Sequence, residues 1–143
     1  MATFNKFQDF SEQLTRGSQN FGTDTYKVAL SNSAPIATNT ALADITQIAA
    51  GNGYTTGGTA TTISIAEVSG TTTVSGTQVV FTASGGSIGP FRYVVLYNDT
   101  TATPVNKPLV GWWDYGSAIT LADTETFTVK FSNASPGAIF TLT

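Results

Sequence analysis

From residue 25 to 142, apolar side chains recur at every second position in short runs, and clusters of Gly, Pro and Asn break the runs apart. That period belongs to a strand with one covered face, and a helix does not keep it. Tyr26, Val28 and Leu30 alternate with Lys27 and Ser31 over 25–31, and Ile63 and Ile65 do so within 59–68. Further strands are expected over 71–83, 109–115 and 138–142, and over 125–131 with Phe127, Val129 and Phe131 inward. The stretch 91–97, Phe-Arg-Tyr-Val-Val-Leu-Tyr, is apolar on both faces, as a central strand covered on two sides would be. Breakers at 85–90, a long hairpin loop at 98–108 and a turn over 116–123 separate these runs. The expected fold is mainly β: an antiparallel sandwich or barrel-like domain of about seven strands with one N-terminal α-helix.

The helix is expected over 3–16. Phe4, Phe7, Phe10 and Leu14 recur at spacings of three, three and four, Thr3 can cap the start and Gly17 suits the stop. Residues 1–17 then form a helical arm on a single β domain, 18–143. Its Phe stripe either packs on that domain or docks on a neighbouring subunit. The segment 32–58 reads mostly as loop, with one or two helical turns in 41–49 capped by Thr40. A loop that long inside a domain usually carries function, which in a scaffold means contact with partners, Tyr54 among them.

Composition narrows the chemistry. The 143 residues include no Cys and no His, which removes disulfides, thiolate nucleophiles, imidazole bases and Cys/His metal sites. Only 10% of residues are charged, the net charge is −3, and six basic residues are too few to follow a nucleic-acid backbone. The N-terminus has no basic region followed by an apolar run, so no signal peptide is expected, and no apolar stretch is long enough to span a membrane. Asp114, between Trp113 and Tyr115, is the carboxylate whose aromatic surroundings could raise its pKa. The alternative is an Asp at a strand end, in solvent or bonded to turn amides. Asp123-Thr124-Glu125 lacks the alternating ligands of a calcium loop, and Gly51-Asn52-Gly53-Tyr54-Thr55-Thr56-Gly57 lacks the lysine of a phosphate cradle. No catalytic residue, cofactor or metal is therefore expected. Trp112 and Trp113 point to opposite faces of their strand, so one needs cover from a second layer, the N-terminal helix, another subunit or a stacked sugar. Phe4, Phe7, Phe10, Tyr54, Trp112 and Trp113 are the candidate interface residues.

Longer motifs carry a resemblance. The opening Met-Ala-Thr-Phe-Asn-Lys-Phe and the segments 26–35, 42–55, 82–99, 107–116 and 119–123 are similar to a family of small structural proteins of tailed-bacteriophage virions. The likeness covers most of the chain and is weakest in 60–80 and after 131. It implies a head decoration (cement) protein, made in the host cytoplasm, that sits on the capsid surface as a homotrimer bound to the major capsid protein. A tail, neck or fibre component is the alternative within that reading, and a carbohydrate-binding module using Trp112 or Trp113 is the alternative outside it. No membrane or nucleic-acid partner is implied, and no catalytic residue transfers.

Overall fold

The structure is a computed structural model that describes residues 2–143. It is mainly β and antiparallel, a sandwich-like arrangement with one short helix. Ten strands are present among the described residues, against an expectation of about seven, because the expected runs 59–68 and 71–83 each divide in two and residues 5–6 add a strand. The strands are β1 (Asn5–Lys6), β2 (Tyr26–Ser31), β3 (Thr59–Thr61), β4 (Ile63–Val68), β5 (Thr71–Gly76), β6 (Val79–Thr82), β7 (Ile88–Asn98), β8 (Leu109–Leu121), β9 (Thr126–Val129) and β10 (Gly137–Leu142). The helix, α1, is Phe10–Thr15.

The sheets follow the order β1-β8-β7-β2-β3, β10-β5-β4 and β6-β9. β7 is the centre of the first, and its side-chain parity explains why it reads as apolar on both faces. Val94 and Leu96 enter the main core, with Tyr26, Val28 and Leu30 of β2, Val74, Phe81, Val129 and Phe131. Val95 and Tyr97, one residue out of phase, enter a second, smaller core with Phe7, Ala29, Leu42, Ile45 and Leu109. Leu42 and Ile45 belong to the segment 32–58, so this loop is itself the layer that covers the second face of the sheet.

That loop is held by many bonds although it has little regular structure. The amide of Ile48 donates to Leu30 O at 3.1 Å, that of Leu42 to Lys107 O at 3.0 Å, and that of Leu109 to Thr40 O at 3.0 Å. The expected turns in 41–49 reduce to one 3-10 turn, Leu42–Asp44. Its start is secured by Asp44, whose carboxylate accepts from the amides of Thr40 and Ala41 at 2.9 and 3.1 Å. Those bonds favour the ionised carboxyl and hold its pKa below the usual range.

The N-terminal expectation needs the largest correction. Residues 5 and 6 are strand, paired with Trp112 and Gly111 of β8, and the helix occupies only Phe10–Thr15. In a helix Phe4 and Phe7 would share a face; in a strand they face opposite ways. Accordingly Phe4 meets Trp113 at 5.3 Å on the main-core side, and Phe7 meets Trp112 at 4.5 Å on the other. Gly111 permits the approach, since a Cβ there would strike the Phe4 ring and Asn5 O. Gly17 does end the helix, at φ +79°, with its amide bonded to Leu14 O.

A second correction concerns 116–123, expected as a turn. β8 runs on to Leu121, and Ile88 still pairs with Leu121 and Phe91 with Ile119. Between Phe91/Ile119 and Tyr93/Asp114 the register slips, because extra residues of β8 around Gly116, at φ +101°, bulge out of the ladder.

Candidate interaction surface

Each candidate interface side chain has a definite place, and most of them face inward. Phe7 is fully buried, Phe10 is 3% exposed, Tyr54 2% and Trp113 8%. Phe4 and Trp112 are partly buried, each packed on a core cluster. The arm reading is thus corrected: Phe4, Phe7 and Phe10 are built into the domain, because β1 pairs with β8 and sends one ring to each face. Tyr54 is corrected likewise. Its hydroxyl accepts from Leu30 N at 3.1 Å and donates to Gln47 Oε1 at 2.8 Å, and Gln47 Oε1 also accepts from Gly57 N at 2.7 Å. The Tyr97 hydroxyl closes the same turn by donating to Gly57 O at 2.7 Å. Burial raises the pKa of both phenols, so they remain neutral donors across the ordinary pH range. The glycine-rich stretch 51–57 is therefore a tightly tied turn.

The two indoles find cover from the chain itself. Trp113 lies between Phe4 and Phe131, each at 5.3 Å, and Trp112 lies against Phe7. The exposed ring of that strand end is Tyr115, 55% exposed and edge-on to Phe127 at 5.7 Å. Together with Val94, Trp113, Val129 and Lys130 these two rings line a shallow apolar groove.

Asp114 does not have the raised pKa its aromatic neighbours suggested. Arg92 reaches it with two bonds, Nε to Oδ1 at 2.7 Å and Nη2 to Oδ2 at 2.9 Å, and Gly116 N adds a third at 2.8 Å. These bonds hold the carboxyl below the usual carboxylate range. The sequence signal for this pair was available: Arg92 is the one cation in an otherwise apolar central strand. Asp123 Oδ1 accepts from Gly85 N at 2.9 Å and Glu125 Oε2 from Ala122 N at 2.7 Å, so both carboxylates fasten turns. Among the described residues no cluster of three or more acidic side chains is arranged to hold a metal.

What the sequence reading missed is the set of large apolar side chains that remain outside: Ile36, Ile65, Val68, Val80, Tyr115 and Leu142, all 48% exposed or more. Ile36 stands on the long loop. Ile65 and Val68 stand on β4, the edge of the three-stranded sheet, where Ser64 through Val68 are all exposed. Alternation marks these residues as strand but carries no information on whether a face is covered.

No protein-family model, no curated protein and no solved structure matches this chain.

Proposed function

We propose that this chain is a structural virion protein that decorates the outer surface of a tailed-phage head as a homotrimer, bound to the major capsid protein and reinforcing the shell. The sequence likeness of the opening Met-Ala-Thr-Phe-Asn-Lys-Phe and of segments 26–35, 42–55, 82–99, 107–116 and 119–123 motivates the reading. The observation that carries it is the state of the 32–58 loop. An irregular surface of this length, tied to the sheet at Leu30, Thr40, Lys107 and Tyr54 and presenting Ile36 at 63% exposure, is already ordered before it meets a partner. Little conformational entropy is then lost on docking, and three loops in one trimer reinforce each other because the later contacts are intramolecular.

The test is co-sedimentation of purified protein with phage heads stripped of their decoration, with light scattering to give the oligomeric state. Saturable binding at hundreds of sites per head supports the reading. A chain that binds tails or necks at a few dozen copies belongs to the tail, neck or fibre alternative, and a chain that ignores both overturns the virion reading. Binding of host surface glycans, read as a shift in Trp fluorescence, would favour the carbohydrate alternative. Trp113 being buried and Trp112 lying under Phe7 weigh against that alternative.

A further inference from the structure

β4 is an edge strand whose outward backbone groups are unpaired. The β4–β5 hairpin turns at Ser69 and Gly70, with φ +51° and +84°, the signature of a type I′ turn, so Val68 and Thr71 form its closing hydrogen-bonded pair. At the other end the amide of Thr77 donates to Thr62 O at 3.0 Å. Both ends fix the same phase. Ser64, Ala66 and Val68 turn their N–H and C=O toward β5, while Ile63, Ile65 and Glu67 turn theirs outward. No backbone hydrogen bond outside the hairpin ladder involves these three residues among those described.

Such an edge is usually blunted by Lys, Pro or a bulge. β4 has none of these, and its register with β5 is unbroken from Ile63/Gly76 to Val68/Thr71. The opposite edge, β10, has both a bulge between Ala138 and Phe140 and Pro136 at its start. The single charge on β4, Glu67, is folded back onto its own turn, where Oε1 accepts from Gly70 N at 2.6 Å. The apolar side chains are also arranged in a row that stops at the edge: Phe140 pairs with Val74, and Val74 with Ile65.

We propose that β4 pairs antiparallel with β4 of a second copy across a two-fold axis at Ile65. A two-fold normal to the sheet brings residues of equal parity together, so Ile65 meets Ile65 and Ile63 meets Glu67. These are the residues with free outward groups. With one N–H from each of the three on each copy, six backbone hydrogen bonds form and none of the six donors is left over. The apolar row becomes continuous, Phe140–Val74–Ile65 running into Ile65–Val74–Phe140 of the second copy. The two Glu67 lie four residues apart along the joint, about 13 Å at 3.3 Å per residue, beyond the screening length in physiological salt. A self-pair therefore carries no charge penalty, and a second copy is the occupant with a matching row. Two six-residue strands bury less than a standard stable interface, so the contact is reversible in dilute solution and strengthened when copies are held side by side. The inference does not rest on the virion reading. If the chain is a trimer, the same edge joins one trimer to the next.

Sedimentation velocity over a concentration series, on the full chain, tests it. The expected result is a mass-doubling step from monomer to dimer or, if the chain is a trimer, an association that begins by joining two trimers. I65K places two ammonium groups opposite each other and raises the dissociation constant of that step at least about tenfold, and I65E does the same with two carboxylates. An equimolar mixture of the two variants regains the step, because each lysine then faces a glutamate. Hydrogen exchange gives a readout that does not depend on the variants. On concentrating the native chain, the amides of Ile63, Ile65 and Glu67 slow, while those of Ser64, Ala66 and Val68 stay as they were. The proposal is overturned if no doubling occurs up to about 1 mM, where even a millimolar contact would be visible. It is equally overturned if the variants associate like the native chain, if their mixture does not recover, or if the alternating amides fail to slow.

Discussion

The β7–β8 pair and the β4–β5 hairpin are built alike, as two antiparallel strands that follow one another in the chain, yet their surroundings are opposite. β7 lies at the centre of five strands with a core on each face, and Val94 through Asn98 are all buried. β4 lies at the edge of three strands, and Ser64 through Val68 are all exposed. The difference teaches that strand formation in this chain is a local property, while coverage is a property of what arrives from far away. For β7 the cover comes from two distant places: Leu42 and Ile45 of the long loop on one face, and β5, β6, β9 and β10 on the other. On β4 only Ile63 packs on the core, and the outward backbone groups of Ile63, Ile65 and Glu67 have no backbone partner among the described residues.

The sharpest way to break the contrast is to remove cover from the central sheet. Phe7 is fully buried between the loop layer and Trp112. Phe7→Ala is expected to lower stability by about 3–5 kcal/mol, the range for a buried Phe truncated to Ala. The urea midpoint measures it. Deleting residues 2–16 removes Phe4, Phe7 and Phe10 together with the β1 pairing, and is expected to abolish cooperative unfolding at room temperature. A truncated chain that folds normally would show that these rings are a detachable arm after all.

The same contrast explains what could be read in advance. The antiparallel β class, the two-sided coverage of 91–97 and the stop at Gly17 all follow from residues adjacent in sequence. The fate of the N-terminus does not. Phe4, Phe7 and Phe10 have helical spacing, and only the missing Cβ of Gly111, a hundred residues away, allows residues 5 and 6 to lie against β8 as a strand. Gly116 was legible as a break in regular pairing, but whether a break is a turn or a bulge depends on the partner strand, and β7 continues past it to Ile88. The burial of most of the candidate interface residues has a related reason. Aromatic rings mark strong anchors, and in this chain most of them anchor its own layers, while the large apolar side chains left exposed are mostly plain aliphatic ones such as Ile65 and Val68.

A smaller effect probes the loop layer. Tyr54→Phe deletes the hydroxyl that serves Leu30 N and Gln47 Oε1. It leaves a buried amide without its acceptor, and about 1–3 kcal/mol of stability is expected to be lost, with faster exchange of the Leu30 and Gly57 amides. If exchange in the loop is unchanged, the loop is held by its apolar contacts alone, and the distinction between a tied loop and an open hairpin weakens.

Acid should discriminate next. Burial pushes the Asp99 carboxyl up, but hydrogen bonds and charge from Lys107 and Lys27, each ammonium 2.9 Å away, outweigh it and hold the group below its usual value. A carboxylate with a lowered folded pKa stabilises the fold above its unfolded value, and that contribution disappears as pH falls through the folded one. Unfolding midpoints should therefore be flat near pH 7 and fall below about pH 4, the ordinary carboxylate value. Asp114 contributes in the same direction through Arg92. D99N should flatten part of that fall and lose at most about 1 kcal/mol at neutral pH, the scale of a partly exposed ion pair.

The smallest expected effect bears on the hairpin directly. Val68 is 71% exposed and closes the turn with Thr71 through its backbone. Val68→Thr keeps the β-branched shape and those backbone bonds, so stability in dilute solution should move by no more than about 0.5 kcal/mol. Val68 also lies on the face away from the Ile63–Ile65 row, and its amide already points to β5, so edge pairing should be equally indifferent to the change. An unfolding midpoint that falls well beyond that range in dilute solution would mean that the outer face of β4 is covered within the chain. The two regions would then differ in degree of burial and no longer in kind.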